Sequence, residues 1–439
     1  MSRPEASPGQ RGAGRLDAAF LLGIDDRLAD ADRLLASRYP GDAGDRQPLH
    51  TVYVPADQVD LDTPARWGAA ALDVLATAVP DAASAARVTG LDGIDDDVHR
   101  RVRAKLAGQP VEDLRVDFED GYGARPDAEE DAAAAAAGAV LAGLLAAPAG
   151  PSFAGVRFKS LEQATRRRGL RTLDLVLGAV LDAGPLPAGF LVTLPKVTST
   201  DQVLATVEVC ERLEDLYGLA PGALRFEIQV ETPQAVLGPD GVATVAVLVH
   251  AAGRRCVGLH YGTYDYSAAC DVAAAYQSLD HAVADHAKAV MQVAAAGTGV
   301  RLSDGSTNVV PAGSPEQVRD ALRLHARLVR RSLERGYYQG WDMHPGHLVT
   351  RYLAAYAFYR EGLPAAADRL RRYLSGTGGP SRTGGVLDEP ATAQALASFL
   401  VRGLRCGALD DAELAAATGL PAAGLDALAR RRPLPAEPS

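Results

Sequence analysis

The sequence predicts a (β/α)8 barrel with a helical extension at its N-terminus and a helical segment at its C-terminus. Short β-like runs alternate with helical patterns over about 300 residues. The charged residues that close successive runs are evenly spaced: Glu119 to Arg157 is 38 residues, Arg157 to Lys196 is 39, Lys196 to Glu231 is 35 and Glu231 to Asp265 is 34. Each interval is the length of one strand–helix unit. An open, doubly wound sheet would give the same alternation, but it usually carries a glycine-rich phosphate turn after its first strand. "YVPADQVD" has none.

Residues 1–48 hold a polar start, "MSRPEASPGQRGAGR", with no apolar signal-peptide core behind it, and one helix over "DDRLADADRLLASRY". The barrel spans 49–362. Its strands fall at "HTVYVP" (50–55), "LRVDFED" (114–120), "GVRFKS" (155–160), "GFLVTLPK" (189–196), "LRFEIQVE" (224–231) and "RCVGLHYG" (255–262), with a weaker one inside 299–311 and the last at "YYQGWDMHP" (337–345). Helices such as "SPEQVRDALRLHARLVRRSLERG" place Leu or Val at three- and four-residue spacings, with charges opposite. The alanine tract 131–147 follows "PDAEED", whose acids suit a helix start. Beyond 362, "SGTGGPSRTGG" predicts a flexible linker. "DEPATAQALASFLVRGLRCGAL" predicts a helix with Pro390 in its first turn, and a helical pair ends the chain.

With 47% hydrophobic and 23% charged residues, the composition is that of a globular protein. A net charge of −10 argues against an electrostatic nucleic-acid binder. No apolar run reaches the roughly 18 residues of a membrane span. Four scattered cysteines, without CxxC spacing, argue against zinc or a disulfide framework and place the protein in a reducing cytoplasm.

Catalysis in such a barrel is built at the C-terminal ends of the strands. Strand two ends in Asp117, Glu119 and Asp120; strand three carries Arg157 and Lys159; strand four ends in Lys196. Strand five ends in Glu231, strand six in Asp265 and strand eight in Asp342 and His344. Glu231 and Asp265, from adjacent strands, form an oxygen pair suited to a hard cation, Mg²⁺ or Mn²⁺, with water and substrate oxygens completing the shell. Arg157 offers a permanently charged fork for a substrate carboxylate or a developing enolate oxygen.

The motifs "VDFEDGYG", "GVRFKS", "VTLPK", "EIQVETPQA", "GLHYGTYDY" and "GWDMHPGHL" come in an order that resembles the citrate lyase β-subunit-like, HpcH/HpaI aldolase and malate synthase superfamily over residues 50–362. The resemblance implies that Glu231 and Asp265 bind Mg²⁺, that Arg157 stabilises an enolate, and that Glu119 and Asp120 line the metal site behind them. It also implies a catalytic base in "LDEPATAQ", at Glu389 or Asp388, where malate synthases place an aspartate. "HYGTYDY" departs from the malate synthases, lacking their arginine and tryptophan before the metal aspartate.

The expected activity is therefore cleavage of a carbon–carbon bond in a 3-hydroxy acid or its CoA thioester, through a 2-oxo acid or enolate. Lys196, Asp342 and His344 are expected to support the site or bind substrate. The competing readings are a malate synthase-like condensation of an acyl-CoA with a 2-oxo acid, a Schiff-base aldolase using Lys159 or Lys196, and a barrel that binds a 2-oxo acid without turnover. A homo-oligomer is compatible with all four.

Overall fold

The computed structural model describes residues 16–375, 381–383, 386–388 and 390–432. Eight parallel strands close into one barrel in sequence order: β1 (His50–Pro55), β2 (Asp113–Asp117), β3 (Phe153–Arg157), β4 (Phe190–Leu194), β5 (Phe226–Val230), β6 (Cys256–Tyr261), β7 (Arg301–Asp304) and β8 (Gln339–Trp341). Pairing of β8 with β1, His50 opposite Gly340, closes the ring. The eight strands fall where the sequence places them, and the barrel is flanked by the expected helical termini.

Each strand has two chemically different sides. On β2, Leu114 and Val116 are buried in the main apolar cluster, while Asp113, Arg115 and Asp117 bond to polar partners on other strands and to one another. Period-two alternation thus puts the apolar residues under the surrounding helices and the polar ones inside the barrel.

Local chemistry explains the helix starts. Ser314 and Gln317 form a reciprocal capping box ahead of the helix Pro315–Glu334. The alanine-rich helix Asp127–Ala146 opens with Asp127, Glu129 and Glu130, which complement its positive end.

The last barrel helix runs without a break from Pro345 to Ser375, so residues 362 and 363 lie inside one element. The segment expected as a linker, 375–385, contains a short strand, β9 (Ser381–Thr383), which pairs with β10 (Val386–Asp388) just beyond it, Val386 opposite Thr383. The helices Pro390–Arg405, Asp411–Thr418 and Ala422–Ala429 follow. They sit beneath the N-terminal end of the barrel. Arg402 donates to Gln47 Oε1 just ahead of β1, and Arg430 donates to the carbonyl of Ala43. Among the described residues, no single helix is long and apolar enough to cross a membrane.

Candidate active site

At the C-terminal end of the barrel, one ammonium group gathers three carboxylates. Lys196 Nζ lies 3.3 Å from Glu119 Oε1, 3.2 Å from Asp120 Oδ2 and 3.1 Å from Asp265 Oδ2. Its own backbone N–H donates to Glu231 Oε1 at 2.7 Å. Lys196 can aim both groups because its φ is +51°, a left-handed conformation that non-glycine residues rarely adopt. Four carboxylates from the ends of β2, β5 and β6 therefore converge on one residue beyond β4.

Asp265 is not the last residue of a strand. β6 ends at Tyr261, and Asp265 lies in the first turn of a short helix, Thr263–Ala269. Successive helical residues diverge by about 100°, which separates the aromatic pair from the acid. Tyr266 is buried against Tyr261. The Tyr264 hydroxyl accepts from the Asn308 backbone. Asp265 is left half-exposed and facing Lys196. Gly262 makes room: a Cβ there would lie 2.4 Å from Glu231 Cβ and 2.8 Å from its Oε2.

Arg157 ends β3 with its guanidinium buried. Nε and Nη2 each donate at 2.7 Å to the two oxygens of Asp117, on the adjacent strand. Tyr53 and Trp341 flank the group at 4.7 and 5.5 Å. The fork expected for substrate is thus held by Asp117. The remaining edge, Nη1, is 3.4 Å from Gln229 Oε1 and 3.6 Å from Glu119 Oε2, on the side of the carboxylate cluster.

Six expected residues therefore come together: Glu119, Asp120, Arg157, Lys196, Glu231 and Asp265. Asp342 is engaged elsewhere. It is fully buried, takes three contacts of 2.8 to 3.2 Å from Arg351, and lies 3.1 Å from His325 Nε2. His344 is half-buried, with its Nδ1 accepting from the Gly346 N–H. Lys159 is paired with Glu130 and the Phe118 carbonyl, both at 2.8 Å. Glu389 falls outside the described residues, and the helix that follows Asp388 and Glu389 packs under the opposite end of the barrel.

Residues 28–433 match DUF6986, a family described as a domain of unknown function. The chain belongs to this family. No curated protein matches it in sequence. A citrate lyase from Burkholderia xenovorans LB400 is similar in structure, with a TM-score of 0.58 at 21% identity, covering 84% of this chain and 95% of that one. At that identity the likeness is one of fold, the same barrel as in the superfamily that the motifs resemble. A Haloferax volcanii malate synthase, in a magnesium and glyoxylate complex, aligns at a TM-score of 0.46 and 16% identity, covering 69% of this chain and 74% of that one.

In this DUF6986 chain the cluster carries more negative than positive charge, and burial makes that costly. Burial pushes Glu119 up to about 8, against the pull of Arg157 and Lys196. It pushes Glu231 up to about 7, against Lys196 and Arg157. The Lys196 ammonium, although burial opposes its charge, is held above the usual lysine range by the surrounding carboxylates. It is a cation and not a nucleophile, which disfavours Schiff-base chemistry. A hard divalent cation fits this donor set: Glu231 and Asp265 provide carboxylate oxygens, and the excess negative charge favours it. A second set of ligand-type groups, His325, Asp342 and His347, lies within 4.8 Å. There Arg351 already neutralises the only carboxylate, so these groups form a hydrogen-bonded support for the β8 end.

A polar network lines the barrel below the site. Arg115 bridges Asp113 and Glu227, the latter at 2.8 Å, and His260 Nε2 lies 3.2 Å from Glu227. Burial raises Asp113 to about 6, whereas Arg115 and His260 overcome burial to keep Glu227 well below the usual carboxylate range. Attention to strand ends alone misses these buried network residues. Their signal is the alternation "DLRVD" in β2 and "EIQVE" over 227–231, with a charged or polar residue at every second position.

Proposed function

We propose that this chain is an Mg²⁺- or Mn²⁺-dependent carbon–carbon lyase acting on a 3-hydroxy acid, or its CoA thioester, that carries a carboxylate on C3. The observation that carries the proposal is the convergence of Glu119, Asp120, Glu231 and Asp265 on Lys196, beside the Nη1 edge of Arg157 that Asp117 leaves unused. The citrate lyase likeness in fold agrees with it.

Glu231 and Asp265 would hold the cation, which supplies Lewis-acid polarisation of the substrate oxygens. Arg157 Nη1 and the Lys196 ammonium present positive charge where a carboxylate or enolate oxygen would sit. The surrounding rings of Tyr53 and Trp341 keep water from the guanidinium. Cleavage requires a group to take the proton of the 3-hydroxyl. The C2–C3 bond then breaks, a carbonyl forms at C3 to give the 2-oxo acid, and the electron pair passes to C2 as an enolate that is reprotonated.

Glu119, with its proton affinity raised to about 8, is the group within the described site suited to that exchange.

A panel of 3-hydroxy-3-carboxy acids and their CoA thioesters, assayed with Mg²⁺ for 2-oxo acid release, tests the proposal. Turnover that chelator abolishes and Mg²⁺ restores is expected. Absence of turnover across the panel, or turnover indifferent to chelator, would sink it. Free thiol released only when an acyl-CoA is offered with a 2-oxo acid would reassign the chemistry to condensation.

A further inference from the structure

The N-terminal helix, Ala18–Arg38, has no buried residue along its 21 positions. Such a helix would be expected to expose charge, yet Leu21, Ile24, Leu28 and Leu35 are 49, 38, 48 and 60% exposed. Their spacing is 3, 4 and 7 residues, and Ala31 fills the gap, so the five form an a/d seam with Leu21, Leu28 and Leu35 at a and Ile24 and Ala31 at d. Phe20 and Leu34, at g, widen the same stripe, while Leu22 lies off it. An isolated helix of this length is marginal in water, so an apolar seam of this kind calls for a partner.

Charge identifies that partner as another copy of the same helix. The e and g positions flanking the seam hold Asp25, Arg27 and Asp32. In a parallel, in-register pairing, g of one helix faces e of the next heptad on its neighbour, which sets Arg27 against Asp32 on both sides. An antiparallel pairing would instead face e with e and oppose aspartates. The helix has an ion pair of its own between Arg33 and Asp30. Among the described residues, neither Arg27 nor Asp32 has an ion-pair partner, so both are available to a neighbour. Leucine at a with isoleucine at d, and apolar residues at g, favour three or four strands over two.

We infer that residues 18–38 assemble this protein into a parallel homo-oligomer of three or four chains through a short helical bundle centred on Leu28. The barrel is not needed for the contact, and the bundle is tethered to it by the segment 39–49.

Light scattering of the full chain tests the inference. The wild-type mass should be three or four times that of one chain, and Leu28→Asp, on an exposed surface, should give monomer with an unchanged barrel melting temperature. Arg27→Asp and Asp32→Arg should each weaken assembly, and the double exchange should restore it. Cysteine at 21, and separately at 35, should cross-link to its own copy with a bismaleimide, above the wild-type background from Cys270. A monomeric wild type, a mass insensitive to Leu28→Asp, or cross-linking only in a mixture of the 21 and 35 variants would overturn it. Failure of the charge exchange to restore assembly would overturn the parallel register.

Discussion

Lys196 holds Glu231 through its backbone N–H at 2.7 Å and Asp265 through its ammonium at 3.1 Å. A single left-handed residue beyond β4 thereby fixes the two carboxylates proposed to bind the cation. The pair is buried on the Glu231 side and open on the Asp265 side, an arrangement that leaves room for substrate.

Cation binding should be pH-dependent. Glu231, at about 7, keeps its proton below neutrality and must release it to act as a ligand. Mg²⁺ affinity measured by calorimetry should therefore rise as the pH passes upward through about 7, with proton uptake by the buffer. Without cation, Glu231 and Glu119 have folded pKa values above the unfolded carboxyl value of roughly 4.3. Their contribution to stability is fully present below that value and is lost as the pH rises through about 7 to 8. Mg²⁺ should thus raise the melting temperature more at pH 8 than at pH 6.

Gly262→Ala probes the support of Glu231. The added Cβ would meet the Glu231 side chain at 2.4 Å, so the carboxylate must shift. Displacing a ligand's support costs on the order of 10–100-fold in metal affinity. That loss, with the barrel still folded by circular dichroism, is the expected outcome.

Arg157→Lys keeps a positive charge but loses the two-point bond to Asp117 and the planar face between Tyr53 and Trp341. If Arg157 acts on charge that develops during cleavage, kcat should fall by about 10²–10³ while KM changes little. Steady-state kinetics on the substrate identified by the panel makes the distinction.

Asp342 should behave as a structural residue. Asp342→Asn leaves Arg351 buried without its counter-charge, a loss of about 3–5 kcal/mol in comparable buried pairs. Denaturant unfolding should show that loss, and Mg²⁺ affinity at the cluster should stay within a factor of two or so of wild type.

Much of the site is legible in the sequence because barrel topology ties position to chemistry: a charge at a strand's C-terminal end faces the active-site mouth. Arg157, Lys196, Glu231 and the acids 119 and 120 are found this way. Asp342 shows the limit. It follows β8, but Trp341 turns inward to Tyr53, so the next side chain points outward to Arg351 and His325. A one-residue step changes the face, and strand ends are where sequence fixes phase least well. The Asp117–Arg157 pair depends on strand register, which spacing does not encode. Likewise, a motif resemblance at 388–389 carries no information about which end of the barrel the following helix covers, because that depends on packing against the long helix Pro345–Ser375.

The most direct test of the cation site is Mn²⁺ binding followed by the loss of the free-ion electron paramagnetic resonance signal. Wild-type protein should bind one Mn²⁺ per chain in competition with Mg²⁺, and Glu231→Gln and Asp265→Asn should each abolish that site while leaving the fold intact. A stoichiometric site that survives both substitutions would contradict the account.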